Sequence, residues 1–133
     1  MRKALCTYCS ARKRRDPDLM PACLRYLGPR IRSLHQEAWR KGCLFLILSG
    51  EFGLLRPGDQ IPWYDHLLKQ EEVGDLTDRV ERQIRRLNLD NITYVTAPLA
   101  TTPNIRPYYD TIHDACLLAG TCLELRELRA DVP

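Results

Sequence analysis

Apolar and polar positions fall into blocks along the chain, and the sharpest block is Cys43-Leu44-Phe45-Leu46-Ile47-Leu48. Six apolar residues without alternation suit a strand covered on both faces, as in the middle of a parallel sheet. The run then breaks into Ser49-Gly50-Glu51-Phe52-Gly53, a polar, glycine-bearing turn where such a strand surfaces. In an open α/β sheet that surfacing end is where ligands bind.

The flanking blocks extend the pattern. Residues 4–9 read as a first short strand that ends in Ser10-Ala11-Arg12-Lys13, followed by a loop through Pro17 and Pro21. Residues 24–27 read as a helical turn. Pro29 then opens a helix with Ile31, Leu34, His35 and Ala38 on one stripe, closed by Lys41-Gly42. His35 on that stripe reads as a core-edge residue with one satisfied nitrogen and stays outside the site. After the central strand, two prolines and a Pro-Gly pair predict an irregular connection over residues 56–65. Residues 66–72 suit a short helix. Residues 76–89 suit a longer one with Leu76, Val80, Ile84 and Leu87 on one face, capped by Asp75 or Thr77. Its arginines (Arg79, Arg82, Arg85, Arg86) read as a solvent face or as part of a nucleic-acid footprint. Residues 91–97 form a β-branched strand. A helix from Ile105 runs to a stop at Gly120, and residues 123–126 alternate as an edge strand. The tail over 130–133 is expected to fray.

Strands and helices thus alternate from end to end. The expected fold class is α/β: a single layered domain over residues 1–133, with a mainly parallel sheet of about four strands flanked by helices. Right-handed crossovers place the loops after the parallel strands along one edge. That topology gathers residues 10–13, 49–53, 64–65 and 98–108 around one cleft.

Composition changes little in this picture. The 133 residues are 44% hydrophobic and 28% charged, ordinary for a soluble globular chain. The longest apolar run is too short to cross a bilayer, and no apolar segment backs the basic N-terminus. A cytoplasmic protein without a membrane partner is therefore expected. The net charge of +3 is small, but Arg12-Lys13-Arg14-Arg15 concentrates it. That run is either a solvated loop or a phosphate-contacting patch, and its position after the first strand favours the patch. Of six cysteines, Cys6 and Cys9 have C-x-x-C spacing, yet no second pair follows at zinc-ribbon distance. Cys23, Cys43, Cys116 and Cys122 read as small buried hydrophobes, and no metal or cofactor is expected.

The candidate chemistry lies on three loops. The first offers a hydroxyl and cations (Ser10, Arg12, Lys13), and the second offers Ser49, Gly50, Glu51 and Gly53. The third offers Tyr64 and Asp65, with Trp63 beside them as a loop pin or a wall for a planar ligand. Lys13 and its neighbours suit an anionic ligand. Glu51 and Asp65 can accept hydrogen bonds from a base or sugar, or act as acid or base. Aromatic rings can stack on a nucleobase. No phosphate-binding loop, dinucleotide fingerprint, nucleophile elbow or zinc-protease motif is present.

Three motifs in order carry a family resemblance: Cys-Ser-x-x-Lys at 9–13, Leu-Ser-x-x-Phe-Gly-Leu-Leu at 48–55, and Ile-Pro-x-Tyr-Asp at 61–65. Across residues 4–70 the chain resembles small bacterial and phage domains of unknown function related to the YaaA-like proteins. The first motif is also similar to a segment of archaeosine synthase, which acts on a 7-deazaguanine base in tRNA. That segment continues with Pro-Tyr, where this chain has Arg14-Arg15-Asp16. The resemblance implies an α/β fold, a link to nucleic acids or modified nucleobases, and roles for Ser10, Lys13, Ser49, Glu51, Tyr64 and Asp65. Residues and resemblance together lead to a nucleotide- or nucleobase-binding protein, with Lys13, Glu51 and Asp65 as the groups for any chemistry on a nucleoside or modified base. The alternative is a non-catalytic nucleic-acid-binding factor. A third reading makes Lys13 and Glu51 a structural ion pair.

Overall fold

The computed structural model describes residues 1–129, so the expectation for the tail over 130–133 falls outside the described residues. The architecture is α/β, built on a sheet of five strands in the order β4-β3-β1-β6-β7. These are β1 (Lys3–Tyr8), β3 (Leu44–Ser49), β4 (Gly53–Leu55), β6 (Asn91–Thr96) and β7 (Cys122–Glu127). A two-stranded ribbon of β2 (Met20–Pro21) and β5 (Gln60–Ile61) lies beside it. Helix α1 (Ala22–Arg25) follows β2, and α2 (Pro29–Lys41) crosses over from β1 to β3. Helices α3 (Val73–Leu87) and α4 (Arg106–Ala119) serve the crossovers into β6 and β7 and pack on each other.

β1, β3, β6 and β7 are mutually parallel, with Ala4 beside Leu44 and Ile92, and Ile92 beside Leu123. β3 is apolar from Leu44 to Leu48, and β1 is buried from Ala4 to Thr7, because both faces of the central strands are covered. Phe45 lies under α2, where His35 stacks on it at 5.1 Å, while Cys6 faces Cys116 of α4.

The sequence suggested about four strands, and the fifth is β4. It pairs antiparallel with β3 through a three-residue connection, register Ser49 to Gly53. Gly53 has φ +76, the left-handed conformation that closes such a hairpin and that side chains resist. β4 would otherwise expose an open sheet edge. Gln83 of α3 occupies that edge: its Oε1 accepts from Leu54 N at 2.8 Å, and its Nε2 donates to Leu54 O at 3.1 Å. A side-chain amide thus takes the place of a sixth strand.

Other boundaries move for local reasons. Residues 66–69 are not helical; only Gln70–Glu72 forms a 3-10 turn. Tertiary hydrogen bonds on His66 and Leu68 override helix propensity there. That turn lets α3 begin at Val73, so Asp75 and Thr77 lie inside the helix rather than capping it. The helix ends at Leu87, before the expected Leu89, because Asn88 turns left-handed at φ 58. All six cysteines are free, and Cys122 is exposed rather than buried because it opens edge strand β7. No helix among the described residues is long and apolar enough to cross a membrane.

Candidate functional site

Chain order places the site. From central β1 the chain moves to β3 on one side, then returns to β6 on the other, so the winding reverses between β1 and β6. The carboxyl ends at such a reversal diverge and leave a crevice. Here the crevice is a groove of about 290 Å³, with Tyr8, Ser10 and Lys13 on one wall. Asp65 and His66 form a second wall, and Tyr108, with Thr102 and Asn104 of the loop after β6, forms a third.

Each wall is fixed by identifiable bonds. Ser10 Oγ accepts from Arg12 N at 3.2 Å, bending the chain out of β1. The segment after it runs antiparallel to residues 25–27. Lys13 bridges Tyr26, Arg14 N donates to Arg25 O at 2.8 Å, and Leu27 N donates to Arg12 O at 3.0 Å. Arg25 holds the same loop from inside. Its fully buried guanidinium donates to the carbonyls of Arg14 (2.7 Å), Asp16 (2.9 Å), Asp18 (2.6 Å) and Ile61 (3.1 Å). A buried charge needs such saturation of its donors, although Arg25 Nε finds no partner. Arg30, near the start of α2, donates to Thr7 Oγ1, to Tyr8 O at 2.7 Å and to Cys9 O at 3.3 Å. It also lies 3.7 Å from the centre of the Tyr8 ring, pressing that ring toward Tyr108. Burial lowers the Arg30 pKa from its usual value.

Residues 62–69 form a strap across the ends of the strands, pinned at alternate residues. Tyr64 is buried; its hydroxyl meets Ser49 Oγ at 2.9 Å and the Tyr26 hydroxyl at 2.5 Å. Burial, with the Cys9 thiol close by, pushes both phenols above their ordinary range, so both remain neutral donors. Leu68 N donates to the Tyr108 hydroxyl at 3.1 Å. His66 stands between two carboxylates, its Nδ1 2.5 Å from Glu51 and its Nε2 2.7 Å from Glu72. Hydrogen bonding first to Glu51 and then to Glu72 raises its pKa, favouring the imidazolium that can donate to both.

The candidate residues therefore separate into two sets. Ser10, Lys13, Asp65 and the Tyr64 ring come together. The Lys13 ammonium lies 4.5 Å from the centre of the Tyr64 ring and 5.9 Å from that of Tyr26. Among the described residues it has no carboxylate at ion-pair distance. Ser49 is completely buried beneath Tyr64, accepting from Glu51 N and Phe52 N at 3.1 Å each, and reaches the groove only through that tyrosine. Arg12 lies outside the groove in an adjoining depression. Glu51 and Gly50 line a different hollow of about 170 Å³ with Glu72, Asp75 and Arg79. Lys13 and Glu51 thus do not face a shared guest, nor do they pair: the partner of Glu51 is His66. The carboxylate beside Lys13 is Asp65. Gly50 serves close packing, since a Cβ there would lie 3.2 Å from both Leu68 Cβ and the Tyr108 hydroxyl.

The arginines of α3 do not join the 12–15 run. Arg79 reaches Glu51 O at 3.0 Å, but Arg85 pairs with Glu81 and donates to Leu118 O near the opposite edge of the sheet. Tyr108 falls within the 98–108 stretch expected at the cleft, whereas His66, Arg25 and Arg30 escape sequence reasoning. Only His66 had a visible cue, as it directly follows the Tyr64-Asp65 pair. No group of three or more His, Cys, Asp or Glu among the described residues is placed to hold a metal ion. The groove can offer a cation, a hydroxyl, a carboxylate and aromatic walls to a small polar ligand. No family model, curated protein or solved structure matches the chain.

Proposed function

We propose that the chain binds a nucleotide or nucleobase in the groove between β1 and β6, with Asp65 able to act there as acid or base on a nucleoside or modified base. One observation carries this reading: an unpaired lysine, held on tyrosine rings, opens beside a carboxylate at the reversal point of an α/β sheet. Lys13 meets a phosphate or a carbonyl oxygen, and Ser10 donates to the same group. Asp65 accepts from the N–H edge of a base, while Tyr8 and Tyr108, packed against each other, line the apolar side of the groove. The volume of about 290 Å³ lies at the low end for small-molecule sites, which favours a base or a single nucleotide over a dinucleotide. The resemblance of residues 4–70 to YaaA-like domains agrees with this ligand class. Glu51 acts at one remove, by holding His66.

Thermal shift and calorimetric titration with nucleosides, nucleotides and 7-deazaguanines test the reading. A nucleotide raises the melting temperature of the wild type, Lys13→Ala removes most of that rise, and Asp65→Asn changes the preference among bases. Glu51→Gln leaves affinity near the wild-type value. No shift with any compound refutes the proposal, and an equal shift in Lys13→Ala refutes its account of the cation.

A further inference from the structure

We infer that the nucleotide taken by this groove is one unit of a single-stranded nucleic acid, whose next base lies on Trp63 and whose phosphates run along Lys13 and Arg15. This inference rests on the nucleotide-binding reading above and adds the polymer to it. Its basis is the shape of the surface beyond the groove. A second depression of about 290 Å³ adjoins it, sharing Lys13 and Asp65 and adding Arg12, Arg15 and Trp63. On the far side of Trp63 a third, of about 470 Å³, is walled by Arg15, Pro17 and Pro62. The three hollows adjoin one another at Lys13 and Asp65 and again at Arg15 and Trp63, and together they cover more surface than a mononucleotide needs.

This surface has a repeating chemistry along its length. Because the backbone at Lys13 is extended against Tyr26, alternate side chains point the same way. Lys13 and Arg15 are thus two residues, about 6.6 Å, apart on one side, comparable to the step between phosphates of an extended strand. Each lies over an aromatic ring of the strap: Lys13 over Tyr64, and Arg15 over Trp63 at 5.3 Å from the ring centre. Arg14, on the other side, is neutralised by Asp16 at 2.9 Å. Arg15, like Lys13, has no carboxylate at ion-pair distance among the described residues. Trp63 keeps 40% of its surface exposed although Tyr64, next to it, is buried. Cations at successive phosphates with an aromatic platform between them are the features that hold unpaired strands. A duplex fits poorly, since its bases would have to leave the stack to reach either Trp63 or the groove.

Fluorescence anisotropy of a labelled mixed-sequence single strand, across a salt series, tests this with the intact protein. The single strand binds about tenfold more tightly than the mononucleotide, and more tightly than the duplex of the same sequence. The log–log salt slope is about −1.4 for two phosphates on Lys13 and Arg15. Trp63→Ala weakens single-strand binding about tenfold and leaves mononucleotide affinity unchanged. Arg15→Glu, which replaces an exposed cation lying over Trp63, weakens it also, while Arg86→Ala at the far end of α3 has no effect. A mononucleotide that binds as tightly as the single strand, with Trp63→Ala and Arg15→Glu neutral, overturns the polymer and leaves the groove reading standing. Equal affinity for an acidic peptide of matched charge, insensitive to Trp63→Ala, also overturns it. Absence of binding by both mononucleotide and strand overturns the groove reading as well.

Discussion

Replacing Arg25 by methionine keeps most of the side-chain volume and deletes the charge that four carbonyls surround. The Ile61 carbonyl is left in a buried position, and a stranded buried acceptor costs about 1–3 kcal/mol. The carbonyls of Arg14, Asp16 and Asp18 belong to an exposed loop and can turn to water, so each loses only a fraction of its charge-assisted bond. Together these effects predict a loss of roughly 3 kcal/mol, which for a chain of this size lowers the melting temperature by about 10 °C. Arg25→Lys keeps the charge but cannot fork to four acceptors, so an intermediate loss is expected. Thermal unfolding measures the sum, and hydrogen exchange locates it. The amides of Arg14 and Leu27, which donate to Arg25 O and Arg12 O, should lose protection before those of β3. An Arg25→Met protein that melts within about 2 °C of the wild type, with those two amides still protected, would refute the view that Arg25 holds the loop.

Three further predictions follow from single contacts. The His66 pKa is raised by Glu51 and Glu72, so its contribution to stability is present below the unfolded value of 6.5 and is lost as pH rises through the higher folded value. Urea midpoints should fall on the alkaline side in the wild type and stay level there in His66→Gln. Glu37 is held down to about 2, first by its hydrogen bonds from Arg126 and then by Lys41. Its contribution is present above the unfolded value of 4.5 and is lost as pH falls toward 2, so Glu37→Gln should flatten that stretch of the acid unfolding curve. Gly53→Ala places a Cβ 2.5 Å from Gln83 Oε1 at a positive φ. It should lower stability by about 2 kcal/mol in chemical denaturation through strain and loss of the edge bonds, and a neutral result would contradict the assigned hairpin.

The elements legible in the sequence are those with strong periodicity. Residues 43–48 read as a covered strand and residues 91–97 as a β-branched one, both found within a residue of those bounds, and the stripe of Leu76, Val80 and Ile84 marked the buried face of α3. β4 was hidden because three residues carry no period of their own, and its pairing depends on a glycine turn and on Gln83, 29 positions away from Leu54. Topology brought Ser10 and Lys13 to the edge where the parallel strands end, whereas Asp65 arrives there on the strap pinned by Tyr64, His66 and Leu68. Topology could not say which carboxylate faces inward. Glu51 lies at the tip of a hairpin that folds away from the groove, a consequence of the antiparallel β4 that the pattern did not reveal. Arg25 is one of 20 basic residues, and nothing local distinguishes a guanidinium that saturates buried carbonyls from one in solvent.

The amide of Gln83 gives the molecule a polarity beyond its own stability. With the β4 border closed by a helix side chain, β7 is the border through which the large sheet could recruit another strand. Copies joined there would meet through the flank that carries Leu125, away from Ser10 and Lys13 on the central strand's exit. With one open border per chain, association there would stop at a pair rather than run on into a filament.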